Sequence, residues 1–150
     1  IREGSGDFKY LYMVTGTSYT DSSARIGVYD FYRVYPYKYV NGVRKLGPST
    51  AYVYGKPSLS AVTNLKATGQ SNSVKLTWTA STRATGYFIY KRDSKGKFQY
   101  IGYTNGTSYT DKKASKTSYN FYRVYLYYKP NLNAKRIMGP SNAYVYAKAK

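Results

Sequence analysis

The sequence predicts an all-β chain: two antiparallel β-sandwiches in tandem, the first of them truncated. Three observations predict it. Apolar and polar residues alternate with period two, and no sustained 3.6-residue period competes with it. Clusters of Gly, Pro, Asn and Ser interrupt the alternation at short intervals. The chain also aligns with itself: residues 8–37 match 98–127 without a gap, with 16 of 30 positions identical at an offset of 90. A second block, GPSTAYVY at 47–54, matches GPSNAYVY at 139–146 in 7 of 8 positions, now at an offset of 92. The two-residue difference falls between the blocks and marks a loop there. A period of ~90 residues suits an independently folding module and is too long for a solenoid unit.

The elements follow in order along the complete repeat. SVKLTWTA at 73–80 sets Val74, Leu76 and Trp78 against Lys75, Thr77 and Thr79. GYFIYKR at 86–92 sets Tyr87 and Ile89 against Phe88, Tyr90 and Arg92. YNFYRVYLY at 119–127 continues the pattern, and AYVYAK at 143–148 opposes Ala143, Val145 and Ala147 to Tyr144, Tyr146 and Lys148. Turn chemistry separates them at 69–72, 93–97, Asn105-Gly106 and the Pro/Gly/Asn-rich 129–140. About seven short strands in ~90 residues indicate a sandwich. The expected core is Leu65, Val74, Leu76, Trp78, Tyr87, Ile89, Phe98, Ile101, Tyr109, Tyr122, Val124 and Val145, in which tyrosines replace aliphatic volume. Their hydroxyls then need partners.

The expected domains are 1–56 and 57–150. Ile1 aligns with Lys91, so the first repeat has no counterpart of 57–90 and reads as part of a longer array. With about four strands it leaves one inner face uncovered, which a neighbouring chain is expected to complete.

Composition narrows the function. The 150 residues include 24 Lys+Arg, 6 Asp+Glu and 22 Tyr, but no Cys and no His. That removes thiolate chemistry, a Ser-His-Asp triad and a zinc site of soft ligands. The carboxylates are scattered, with no close pair beyond Glu3 and Asp7, which argues against paired-acid catalysis and calcium loops. The expectation is a non-enzymatic protein without a cofactor. A net charge of +18 draws polyanions by counterion release. It is uneven: residues 1–58 carry 8 basic and 4 acidic groups, net +4, and 59–150 carry 16 and 2, net +14. No apolar run approaches the ~20 residues of a membrane span, so membrane insertion is not expected, and the polar start IREGSGD does not read as a leader.

The chain over 59–148 resembles a bacterial fibronectin type III domain, and 1–55 repeats its second half. The marks are Leu65, the Leu76-x-Trp78 pair, Gly86-Tyr87-x-Ile89-Tyr90, the Ser108-Tyr109-Thr110-Asp111 turn, Tyr122-Arg123-Val124 and Gly139-Pro140-Ser141. One position departs: the family usually has a tyrosine two residues before that of Tyr122, where this chain has Asn120, and Asp30 in the first repeat. The chain is similar in particular to the Tyr- and Lys-rich mucus- and cell-binding adhesin repeats of lactic-acid bacteria. That resemblance implies an extracellular module on the wall or surface of a Gram-positive bacterium.

Two sets of residues are candidates for binding. In a fibronectin-type sandwich the third, sixth and seventh strands share a sheet. Their outward residues Phe88, Tyr90, Arg92, Phe121, Arg123, Tyr125, Tyr127, Tyr144, Tyr146 and Lys148 are therefore expected on one aromatic and cationic face. Phenol rings stack on sugars, and Arg or Lys beside them pairs with sulfate, sialate or phosphate. The same outward rings also stabilise a sheet by pairing across strands. The second set is a polyanion patch of Lys91, Lys95, Lys97, Lys112, Lys113 and Lys116, with Lys135 and Arg136 in the long loop 128–140, whose counterpart is 38–48. The expected partners are sulfated or sialylated glycans, mucins and host-cell surfaces, with many weak sites strengthened by repetition. The alternative is a wall-binding or spacer module of a larger secreted protein, holding teichoic acid. Nucleic acid is expected to bind in vitro without specificity.

Overall fold

Every regular element is a β-strand, and the turn residues decide where each one ends. A computed structural model describes Ile1–Lys150 and divides them into two units, Ile1–Ser58 and Leu59–Lys150.

The first unit holds β1 (Arg2–Glu3), β2 (Asp30–Tyr32), β3 (Tyr37–Val40), β4 (Val43–Leu46) and β5 (Val53–Gly55). Strand β2 lies between β1 and β5, antiparallel to both. Strands β3 and β4 form a separate hairpin, so the segment expected as a loop at 38–48 is largely regular. Its Asn41-Gly42 turn has φ of 50° and 77° at the two central positions. Two left-handed residues in succession match the right-handed twist of the flanking strands, which makes Asn-Gly the signal that the loop reading passed over. Apolar burial is thin here, with Ala24 and Ile26 the buried hydrophobic residues. Val34 is 62% exposed, whereas its repeat partner Val124 in the second unit is fully buried.

The second unit holds β6 (Lys66–Gln70), β7 (Ser73–Thr77), β8 (Gly86–Arg92), β9 (Phe98–Thr104), β10 (Ser108–Asp111), β11 (Asn120–Tyr128), β12 (Ile137–Met138) and β13 (Val145–Ala147). One sheet runs β10-β7-β6. The other runs β9-β8-β11, with β12 and β13 both pairing with β11. Apart from the short β12, the first, second and fifth strands make one sheet and the third, fourth, sixth and seventh the other. This is a fibronectin type III-like sandwich.

Its core forms where the alternation of both sheets points inward. Val74 and Leu76 of β7 and Ile89, Tyr122, Val124 and Leu126 of β8 and β11 are almost wholly removed from water. Trp78 meets Tyr87 edge-on at 5.2 Å. Each such side chain contributes ~1.5–3 kcal/mol by burial. Leu59, Val62 and Ala149, from the segments that lead into and out of the strands, are buried too, and no alternation pattern marks them. The inward tyrosines do find partners. The Ser81 N–H donates to the Tyr87 oxygen (2.9 Å), Tyr109 donates to the Ile101 carbonyl (3.1 Å), and Tyr122 donates to Asp111 Oδ2 (2.8 Å).

Phe98 is a correction, because it does not enter the core. Ile89 pairs with Gly102 but Tyr90 pairs with Tyr100, so Ile101 is an extra residue on β9. This bulge shifts the side-chain phase of β9 and sends Phe98, opposite Arg92, to the outer face. Leu65, Ile101, Tyr109 and Val145 are half-buried rather than central.

Asn120, two residues before Tyr122, fastens its surroundings through its side-chain amide. Its Oδ1 accepts the Ser115 N–H (2.9 Å), and its Nδ2 donates to the carbonyls of Ser115 (2.9 Å) and Ala147 (3.1 Å). This one buried amide fixes the 112–119 loop and ties β11 to β13. In the first unit Asp30 does the equivalent work, accepting the Arg25 N–H (3.2 Å) and pairing with the Arg25 guanidinium (3.1 Å).

Candidate functional site: an aromatic and cationic sheet face

The outer face of the larger sheet is built from the polar-side positions of β8, β9, β11 and β13. At one end Arg92 sits over the Phe121 ring, 3.6 Å from its centroid and 5.9 Å from that of Tyr144. Phe121 in turn packs against Tyr144 and Tyr146, both at 5.5 Å. Tyr146 meets Tyr119 edge-on at 5.2 Å, and the Lys148 ammonium lies 4.7 Å from the Tyr119 ring. The result is a ladder running cation, rings, cation. Tyr144, Tyr146 and Tyr119 keep about half their surface in water, so they can meet a ligand without rearrangement.

The first unit builds the same ladder from its own residues. Arg2 lies 4.6 Å from Phe31 and 5.5 Å from Tyr52. Phe31 packs against Tyr52 at 5.7 Å and Tyr54 at 5.8 Å, Tyr54 meets Tyr29 at 5.6 Å, and Lys56 lies 5.2 Å from Tyr29. Arg123 over Phe98 and Arg33 over Phe8 repeat as well, both at 4.6 Å. This ladder persists in a unit that buries little else. Its stability is therefore local: cross-strand ring pairs of ~0.2–1 kcal/mol each and cation–ring contacts of ~0.5–1 kcal/mol each.

The other end of the face is more closed. Phe88 and Tyr127 stack at 4.6 Å, and Arg136, reaching in from the 128–140 loop, lies 5.4 Å and 5.6 Å from their rings. Tyr127 is only 9% exposed, because Phe88 and Arg136 pack against its ring. Gly86 makes this possible, since a Cβ there would stand 2.8 Å from the Tyr127 ring. Tyr90 meets Tyr125 at 5.2 Å and Tyr100 at 5.9 Å. Phe88, Tyr90, Phe121, Arg123 and Tyr125 are half-buried by these contacts. Strand β9 adds Tyr100 and Tyr103, both exposed, which the sequence reading did not place on the face. Their pairing with Tyr90 and Phe88 depends on the β9 bulge and could not be read from spacing alone.

The lysine patch divides. Lys95, Lys97, Lys112, Lys113, Lys116 and Lys135 are exposed, as is Arg136. Lys91 is set apart from these, because its ammonium turns to Asp111 Oδ2 (2.9 Å) and the Lys113 carbonyl (3.1 Å). Asp111 also accepts the Tyr122 hydroxyl and the Lys113 N–H (2.9 Å). Burial raises the Asp111 pKa, but the bonds from Lys91, Tyr122 and the Lys113 amide outweigh it and hold the carboxyl below the usual range. Tyr122, desolvated and facing a carboxylate, has its phenol pKa pushed well up. The first unit repeats this pair, with Tyr32 donating to Asp21 at 3.0 Å. Burial and that carboxylate raise Tyr32 to about 12. The Ser23 hydroxyl lowers Asp21. These acids thus fasten turns and buried phenols. No group of three or more Asp or Glu side chains that could hold a metal ion comes together.

No protein-family model matches the sequence, and no curated protein matches it. Among solved structures the chain is similar to a Fn3-like protein from Clostridium thermocellum. The identity is 22% and the TM-score 0.48, over 61% of this chain and 93% of that one. It is also similar to a β-1,2-glucanase from Parabacteroides distasonis, with 15% identity and a TM-score of 0.46 over 73% of this chain and 16% of that one. A pectate lyase from Pectobacterium carotovorum gives 16% identity and a TM-score of 0.42 over 58% and 27% of the two chains.

Proposed function

We propose that the chain is a non-enzymatic adhesive module of a bacterial surface protein, binding anionic glycans such as those of mucus glycoproteins through its ladder faces. The observation that carries this reading is the ladder itself, made twice from the same residue types in the same order. Its accessible rings, Tyr144 and Tyr146, lie within reach of Arg92 and, through Tyr119, of Lys148. A sugar ring laid on a phenol gains apolar contact, and a sulfate or carboxylate on that sugar meets a guanidinium or ammonium whose hydration the rings have already reduced. Each face alone binds weakly. Faces joined in one chain bind an extended polymer with an effective concentration set by their connection. The location that accompanies this reading is the wall or surface of a Gram-positive cell.

The second reading is retention on the producing cell through wall teichoic acid. It is favoured by the exposed lysines at 95, 97, 112, 113 and 116, which attract phosphodiester charge without any ring contact. The two separate in one experiment, in which binding of mucin and of purified teichoic acid is measured at low and high salt for the wild type and for Tyr144→Ala/Tyr146→Ala. Loss of mucin binding with teichoic acid binding retained supports the ladder. Equal retention of both ligands assigns binding to charge alone and removes the ladder from the mechanism.

A further inference from the structure

Beside the ladder, at the end of the sandwich where the 93–97 turn meets the 112–119 loop, lies a cleft of about 370 Å³. Its walls include Arg92, Lys113, Ser115, Ser118 and Tyr119. The volume is at the lower end of the ~300–1,000 Å³ of small-ligand sites and suits one sugar residue rather than a chain. Resting on the proposed glycan reading, we infer that this cleft is a subsite for one acidic monosaccharide residue of the bound glycan, a sugar bearing a single carboxylate or sulfate.

The charges in the cleft are not all free, and that is what selects an anion. Lys91 is spent on Asp111, 2.9 Å away. Asp93 is the acid in the lining. Its Oδ1 accepts the N–H groups of Lys95 and Lys97, both at 2.9 Å, and its Oδ2 accepts from Gln99 at 3.0 Å. Arg92 and Lys113 belong to no ion pair, and they leave the cleft positive. Ser115 and Ser118, on the same loop as Lys113, place hydroxyls 2.9 Å from each other in the cleft lining, the groups that sugar hydroxyls exchange bonds with. The half-exposed Tyr119 ring ends the ladder there and supplies a platform.

The first unit provides the contrast. At the positions of Lys113, Ser115 and Ser118 it has Ser23, Arg25 and Val28. There Arg25 closes the corner by pairing with Glu3 and Asp30, each at 3.1 Å. The ladder is thus common to both repeats, while the anion subsite belongs to the second. Among the cleft residues Arg92, Tyr119 and Phe121 have identical counterparts in the first repeat, whereas Lys113, Ser115 and Ser118 do not.

The test is an amide-resolved titration of the full chain with an unsulfated uronate-containing disaccharide, its sulfated form, its carboxyl-reduced neutral form, and inorganic sulfate. Lys113→Ser, which installs the first repeat's residue and removes one free cation from the cleft wall, is the matched variant. The expected result is saturable movement of the Lys113–Tyr119 amides with both acidic disaccharides and none with the neutral one. The Ser23–Tyr29 amides stay still, and the variant binds roughly tenfold more weakly at the cleft, as loss of one charge-assisted contact predicts. Equal movement in both repeats, or inorganic sulfate matching the disaccharides, overturns the sugar subsite. So does displacement of the disaccharides by a short oligonucleotide at lower concentration. Movement at Tyr144 and Tyr146 without movement in the cleft overturns the subsite and leaves the ladder reading standing. Stillness at both places removes both.

Discussion

Replacing Asp111 with Asn tests how the second unit is held together. The carboxylate is buried and accepts from Lys91, Tyr122 and the Lys113 amide. Asn keeps the shape and removes the charge, leaving the Lys91 ammonium, with 22% of its side chain exposed, beside an uncharged amide. Breaking a buried pair from one side costs ~3–5 kcal/mol, and the water and the Lys113 carbonyl still reaching Lys91 place this case at about 3 kcal/mol. Urea unfolding followed by Trp78 fluorescence reads this unit alone, since Trp78 is the single tryptophan of the chain and lies in its core. With a urea slope of roughly 1–1.5 kcal/mol/M for a domain of this size, the midpoint falls by about 2–3 M at pH 7. The difference depends on pH in a defined direction. A carboxyl whose folded pKa lies below its model value of 3.8 stabilises the fold above that value and loses the contribution as pH falls further. The gap between wild type and variant therefore begins to narrow as pH falls below about 4 and closes further as Asp111 is protonated in the folded state. Asp93 is also lowered, chiefly by its bond from Gln99, but it is present in both proteins and cancels. Adding Lys91→Met to the variant removes the stranded charge and restores part of the loss. A cost below about 1 kcal/mol at pH 7, or a cost unchanged at pH 3, would refute the clamp.

Other outcomes follow from the same geometry. Tyr122→Phe costs about 1.5–2 kcal/mol, because Asp111 keeps two of its three donors; thermal or urea unfolding checks this. In alkali the first unit loses stability as pH rises from 10 to about 12, the interval between the ordinary phenol pKa and that of Tyr32, and Tyr32→Phe flattens that limb of a circular dichroism titration. Leu76→Ala, at a fully buried position, costs ~2–5 kcal/mol in the second unit, and a value under 1 would contradict its place in the core. Fusing a second copy of residues 57–90 ahead of Ile1 supplies the strands that cover Val124 in the second unit. Amide exchange at Val34, now 62% exposed, is expected to slow by orders of magnitude.

The sequence determined more than the fold class. Strict alternation with β-branched and aromatic residues leaves one arrangement open to β7, β8 and β11, since a one-residue slip would move Leu76, Ile89 and Val124 to solvent. The repeat placed Arg, Phe and two tyrosines in the same order twice, and because successive strand residues alternate faces, their common outward direction could be read off directly. What only the tertiary structure decided is which of those side chains remain available. Burial of Tyr127 requires Arg136 to return from a loop that has no period. Neutralisation of Lys91 requires Asp111, 20 residues away in the opposite sheet. Departure of Phe98 from the core requires a bulge, one unpaired residue that reverses the phase of everything before it. Alternation is a local property of the backbone and is written in the chain. Cover, pairing and register arise between segments distant in sequence, and they divided one expected face into an accessible ladder, a closed end and a cationic cleft.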